Sequence, residues 1–342
     1  MLLLDVVNKL NKNNKSSMRI SKLKESLINS SYLFTFVALL FVMAISTLLS
    51  ESFLSGDNLI TILRQASVLM ILSSGLTAVI LTGGIDLSVN NTAALVGCIV
   101  AHLLLRNINI IVVVLIGLLI GLIVGLFNGF LVGVLQLPPF VATYGSNMVV
   151  LGLATIVMQG AVIYDLPRNF TPIGVGYFGP IPIPVIISAL LIIVIAIILQ
   201  KTTLGRNIYM LGSNPAAALY SGQKTVLITL QAYALSGLTA ALGGIVMTAR
   251  LNAADANMGN SYGLQIVAAV VMGGTSLLGG EGGIFGTVIG AIILTIIINI
   301  MNLIGINSYL QSLAVGLVII ITVWFDIFSR KQREQRKASI SL

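Results

Sequence analysis

GLLIGLIVGLFNGFLVG, residues 117–133, carries no charge, one polar side chain in Asn128, and a glycine at every fourth position from Gly117 to Gly133. Residues four apart share one face of an α-helix, so the glycines form a bare stripe while leucine, isoleucine, valine and phenylalanine cover the remaining surface. A helix apolar on nearly every side belongs in lipid or in a core. The stripe lets a neighbouring backbone approach closely, as small residues do where membrane helices meet. The apolar run extends over 108–134, past the ~20 residues that a bilayer crossing needs.

The rest of the chain reads the same way. Of 342 residues, 57% are hydrophobic and 8% charged, with a mean hydropathy of +1.06, whereas a soluble domain carries about 25% charged residues to wet its surface. Runs long enough to cross a bilayer are predicted near 32–50, 59–82, 87–105, 108–134, 139–160, 181–200, 225–249, 262–280, 283–304 and 308–328. The expected fold is therefore all-α and polytopic, with about ten transmembrane helices, some of them broken at glycine-rich segments. Residues 1–31 read as a polar basic tail, 32–328 as the membrane domain with a cytoplasmic loop at 201–224, and 329–342 as a second basic tail. No small-residue cleavage site follows the first apolar run, so it reads as a retained span rather than a signal peptide.

Lysine and arginine in short loops stay on the cytoplasmic side. With an even number of spans and the N-terminus inside, the two tails and the 201–224 loop hold fourteen of the eighteen, against Arg106, Arg168 and Arg250 outside and Arg64 near an outer helix end. Both termini are therefore expected in the cytoplasm. The net charge of +8 follows from orientation. It does not form a basic face for nucleic acid.

Several chemistries are missing. The single histidine, His102, stands in an apolar run without a second ligand at metal spacing, and no Ser-His-Asp set is possible with it alone. SGQKT at 221–225 lacks the Gly-Lys pair of a phosphate-binding loop, and GGTSLLGGEGG at 273–283 has no lysine, so it reads as a tight turn or broken helix. Cys98 is the sole cysteine and excludes an internal disulfide. The chain is expected to be no enzyme and to hold no metal or cofactor of its own. Transport or signalling remains, read from polar residues inside spans, which face protein or water. Asn128, Thr143, Ser146, Asn147, Gln159, Gln265, Asn299 and Asn302 are neutral hydrogen-bonding groups: singly they serve as interhelical glue, and together they suit an uncharged hydroxylated solute.

Four blocks carry a resemblance. TGGIDLSVNN (82–91), LQLPPFVATYG (135–145), TTLGRNIYMLGSNPAAALYSG (202–222) and AAVVMGGTSLLGGEGGIFGTVIGA (268–291) are similar, in order and spacing, to segments of the membrane-spanning permease subunits of bacterial ribose-type sugar ABC importers. The resemblance covers about residues 60–328. It implies a permease in the bacterial inner membrane, paired with a second permease subunit, read as an identical copy, and fed by a periplasmic or lipid-anchored sugar-binding protein. It is driven by separate ATPase subunits, where ATP and magnesium would bind. The expected cargo is a neutral monosaccharide or related polyol. Where the family commonly carries acids, this chain has Gly263 and Gln265, and Asn90 replaces a glycine, so pentoses, hexoses, sugar-derived signals and polyols all stay open. An ion-coupled secondary transporter of a small polar solute is the alternative.

In the cytoplasmic loop, Gly205, Arg206, Gly212, Asn214, Ala217, Ala218, Ser221 and Gly222 match the family pattern and are expected to couple to the ATPase. A short helix capped by Asn214, with Pro215 in its first turn, would present small alanines to a groove. Gly83, Gly84, Asp86 and Ser88 are expected to form a structural or gating element. Asp86 either braces the break between two spans by accepting freed NH groups or ligates sugar directly, and bracing answers the more general need of a buried helix end. Asn128, Phe140, Thr143, Gln265 and Asn299 are the expected substrate path.

Overall fold

The computed structural model describes residues 31–307, 309–321, 323, 324 and 328. The basic tails before 31 and after 328 lie outside the described residues.

Ten apolar helices follow one another: α1 (Ser31–Leu49), α2 (Gly56–Leu81), α3 (Val89–Leu105), α4 (Ile110–Gly133), α5 (Pro139–Met158), α7 (Ile183–Lys201), α10 (Thr225–Leu251), α11 (Gly263–Met272), α12 (Ile284–Leu303) and α13 (Tyr309–Ile321). Between them lie a one-turn helix α6 (Pro172–Val175) and the two helices of the basic loop, α8 (Thr203–Ser213) and α9 (Pro215–Tyr220). Among the described residues, six of the ten are long and apolar enough to cross a membrane, and α3, α11, α13 and the Thr35–Leu49 part of α1 are shorter apolar stretches.

Helix α2 is the axis of the bundle. Every residue from Ala66 to Leu81 is buried, and α10, α12, α7 and α11 surround it. Its hydroxyls are satisfied locally: Ser74 donates to the Ile71 carbonyl at 2.7 Å and Thr77 to that of Ser73 at 2.8 Å, with Thr287 of α12 also 2.8 Å from Thr77. Helix α4 is the opposite case. Apart from Val113 and Asn128, its buried residues are Gly117, Gly121, Gly125 and Gly129, and the stripe lies on α10. A Cβ at Gly121 would fall 2.3 Å from the Gly237 carbonyl oxygen, and one at Gly125 2.3 Å from that of Tyr233. Leu115, Leu119, Ile123, Leu126, Phe127 and Phe130 of α4 face outward, as a lipid-covered helix requires, while Leu118 and Ile120 pack against the core.

The sequence placed a full span at 262–280, but α11 stops at Met272. Ten residues rise ~15 Å, half of a ~30 Å hydrocarbon core. Residues 273–283 turn back as a loop in which Gly274, Gly279, Gly280 and Gly282 have positive φ. Its backbone groups are paired within the protein: Ser276 N with Glu281 O at 3.0 Å, Gly283 N with the Thr275 hydroxyl at 3.2 Å, and Gly280 N with the Leu81 carbonyl at 3.0 Å. Irregular backbone persists at membrane depth only when satisfied in this way. At the other end of the bundle, strand β1 (Ile163–Tyr164) pairs antiparallel with β4 (Ala253–Ala254), and β2 (Tyr177–Phe178) with β3 (Ile181–Pro182). These ladders are too short to leave a periodic signal.

Candidate functional site

Residues 82–88 join α2 to α3 without helical structure, and their polar groups are held by three neighbouring helices. Asp86, 2% exposed, accepts at Oδ1 from the Ser88 NH (3.0 Å) and the Ser88 hydroxyl (2.7 Å), with Asn128 Nδ2 at 3.4 Å. Its Oδ2 accepts from the Ser236 hydroxyl of α10 at 2.8 Å. Asn128 also donates to Ser88 Oγ at 2.7 Å. One residue earlier, the Ile85 carbonyl accepts from the Tyr233 hydroxyl at 3.0 Å and faces the Thr143 hydroxyl at 3.3 Å, while Leu87 NH donates to Thr143 Oγ1 at 3.1 Å. The turn is thereby tied to α4 through Asn128, to α5 through Thr143, and to α10 through Tyr233 and Ser236.

The two glycines answer to geometry. Gly83 has φ +81°, which side chains rarely adopt, and a Cβ at Gly84 would lie 2.9 Å from the Tyr233 hydroxyl. Ser88 precedes α3 without capping it, because its hydroxyl is turned to Asp86.

The basic loop meets this turn directly. A Cβ at Gly212 would fall 1.9 Å from the Leu81 carbonyl oxygen and 2.6 Å from Gly280 N, and one at Gly279 would fall 2.7 Å from Gly83 N and 3.0 Å from the Gly212 Cα. Tyr209 donates to the Gly282 carbonyl at 2.9 Å. Three chain segments (the end of α2, the end of α8 and the 273–283 loop) thus close on one another, backbone against backbone.

Beyond that contact, α9 begins at Pro215 with the Asn214 side chain accepting from Ala217 NH at 2.9 Å. Gly205 lies in the tight α7–α8 corner, where a Cβ would stand 2.1 Å from the Leu199 carbonyl oxygen, and Arg206 is exposed beside it. Ala217 points outward with Ser221 and Gly222, whereas Ala218 is fully buried and packs inward. The outward apolar surface of α9 is instead completed by Leu219 and by Tyr220, which is 89% exposed. Neither was among the residues expected to couple, because exposure at the end of a short helix is set by the tertiary packing and leaves no local signal in the sequence.

The five residues of the expected path do not gather in one place. Asn128 and Thr143 belong to the knot at Asp86. Phe140 lies on the outward face of α5, stacked on Tyr144 with ring centroids 6.1 Å apart. Asn299 exchanges two hydrogen bonds with Asn58 of α2, at 2.8 and 3.1 Å. Gln265 lines a cavity at the end of the bundle away from α9. Tyr233 and Ser236 complete the knot but lie some 150 residues from it in sequence, in an apolar helix where a serine is ordinarily packing material.

Residues 58–323 match the family described as branched-chain amino acid transport system / permease component. Over 293 residues the chain is 41% identical to the ribose import permease protein RbsC of Bacillus subtilis, covering 85% of this chain and 91% of that protein. It is 38% identical over 294 residues to the ribose import permease protein RbsC of Escherichia coli K12, covering 85% and 92%. The D-allose transport system permease protein AlsC of Escherichia coli K12 is 36% identical over 294 residues, covering 85% and 90%. No solved structure matches.

Proposed function

Since the chain belongs to this family of importer permease components, and is a multi-pass transport subunit rather than an enzyme, we propose that it forms the membrane path of an ABC importer for a neutral monosaccharide or related polyol. The observation that carries the reading is the likeness, over 85% of the chain, to proteins named for ribose and allose, although the family description names amino acids. An uncharged amide such as Gln265, lining a cavity and not bonded to another helix among the described residues, suits a hydroxylated cargo better than a zwitterion, which needs paired charges.

In this reading two copies stand side by side in the inner membrane, both termini inside. A sugar-binding protein docks on the outer end and two ATPase subunits on the inner end. Helix α9 is the surface the ATPase meets, through Ala217, Leu219 and Tyr220, with Asn214 holding its first turn. Movement of α9 reaches α8, and through Gly212 it reaches the end of α2 and the 273–283 loop. The Asp86 knot makes α3, α4, α5 and α10 follow the turn as one body, so the helices rock and the gate between copies opens. Gly83, Gly84, Asp86 and Ser88 are structural in this scheme, as are Asn128 and Thr143. Phe140, on an open face of α5, and Gln265 remain path residues. Weak contacts along the path release the sugar instead of retaining it.

Uptake of labelled D-ribose, D-allose and L-leucine into proteoliposomes holding the permease, its ATPase and its binding protein tests the cargo class. Ribose or allose uptake is expected. Leucine uptake with neither sugar transported would replace the sugar reading by the amino-acid one.

A further inference from the structure

At the end of the bundle opposite α9 lies a half-open cavity of about 510 Å³, within the ~300–1,000 Å³ of small-molecule sites. It belongs to one copy of the chain. Its walls come from separate elements: Gln65 near the start of α2, Arg250 in the last turn of α10, Tyr262 and Gln265 at the start of α11, Asn302 at the end of α12 and Gln311 on α13. Among the lining residues Arg250 is the one ion, and no aspartate or glutamate accompanies it.

Arg250 is held by its backbone, because Gly174 of α6 presses on it so closely that a Cβ there would lie 2.1 Å from Arg250 N. A cation suits the C-terminal end of a helix, but that explains only its charge. Nη1 is buried and has no hydrogen-bond partner among the described residues. A solute in the cavity meets the guanidinium edge that borders it rather than this closed-off nitrogen. Gln311 Nε2 is engaged with Asn302 Oδ1 at 2.7 Å and with the Ile306 carbonyl at 3.1 Å. That fixes both amides with one donor group of Asn302 and one acceptor oxygen of Gln311 still available.

Planar amides, a guanidinium and a tyrosine ring converging on a space of this size match the hydroxyl pairs and ring face of a sugar. We propose that the cavity is a receiving site for a polyhydroxy solute inside each subunit, holding the solute against Arg250 before it enters the passage between subunits. This rests on the transport reading above and adds to it a site that the passage alone does not require.

Ser261 lines the cavity and is exposed, and the sole cysteine, Cys98, is buried, so a Ser261→Cys variant carries one accessible thiol. In the purified full-length chain, D-ribose or D-allose at a concentration that fills about two-thirds of the sites is expected to slow labelling of that thiol by a polar maleimide about threefold. Labelling unchanged by either sugar overturns the site, whether or not uptake occurs. In the complete reconstituted importer, Arg250→Gln is expected to lower sugar uptake per ATP hydrolysed about tenfold, the factor carried by one charge-assisted hydrogen bond, and Gln265→Leu about fivefold, that of a neutral one. ATP hydrolysis stimulated by loaded binding protein should stay unchanged. Undiminished uptake per ATP in both variants overturns the site while leaving the transport reading intact, and absence of sugar uptake by the wild-type importer overturns the transport reading instead.

Discussion

Gly212 and Leu81 touch through their backbones: a Cβ on Gly212 would stand 1.9 Å from the Leu81 carbonyl oxygen, which already accepts from Gly280 NH at 3.0 Å. Backbone cannot yield as a flexible side-chain end does, so Gly212→Ala has to lift α8 off the end of α2. The expected result is a loss of about 1–3 kcal/mol of stability and an importer whose ATP hydrolysis no longer drives uptake. Thermal unfolding and the ratio of sugar imported to ATP hydrolysed check the two parts separately.

Asp86 organises donors, and its removal leaves them buried. Asp86→Ala strands the hydroxyls of Ser88 and Ser236 together with the Ser88 NH, at an expected cost of about 2–4 kcal/mol. Asp86→Asn keeps one acceptor oxygen, and the Ser236 hydroxyl can turn to accept, so about 1 kcal/mol is expected. Denaturation in mixed detergent micelles measures both. A direct sugar ligand would behave in the opposite way, with uptake lost at undiminished stability.

The reciprocal amide pair Asn58–Asn299 joins α2 to α12. Asn299→Leu alone leaves the Asn58 amide half paired, and a loss of about 0.5–1.5 kcal/mol is expected, the range measured for hydrogen bonds between membrane helices. In the double variant Asn58→Leu/Asn299→Leu the two losses should be less than additive, because the second change removes a group already unpaired. Uptake that falls in Asn299→Leu with no change in stability would instead return Asn299 to the solute path.

Glycines in the two neighbouring helices α4 and α5 should respond differently. Gly121→Ala meets the Gly237 carbonyl and the Ala241 methyl group, whereas around Gly152 nothing lies within 4 Å. The first is expected to cost about 1–3 kcal/mol and the second less than about 0.5 kcal/mol in the isolated subunit. Melting curves of the two variants, taken side by side, decide this.

Much of the fold was legible because lipid imposes a simple requirement. A run of apolar residues reports a helix, and the stripe from Gly117 to Gly133 reports which face meets another helix. The break at Gly83–Ser88 was legible too, since a carboxylate beside paired glycines fits a helix end better than a helix interior. Asn214 and Pro215 announced α9 by local cap chemistry alone. What escaped were relationships between distant segments. Nothing near Gly212 in sequence says that it rests on Leu81, and nothing near Ser236 says that its hydroxyl faces Asp86. The break at 273–283 was legible from its glycines, but nothing local says that α11 ends at Met272 instead of running on to 280. Ala218 looked like part of an outward face by residue type, but its position on the helix turns it inward and leaves Tyr220 exposed.

The central claim is that force from a separate ATPase, applied at α9, works a gate that has no energy source of its own. Its most direct test measures sugar uptake into proteoliposomes containing this chain, its ATPase and its binding protein, compared with vesicles lacking either partner or carrying Tyr220→Asp. Uptake should require ATP and both partners, and the Tyr220→Asp importer should lose it while the permease remains folded. Uptake by this chain alone, driven by an imposed proton or sodium gradient without nucleotide, would contradict the account.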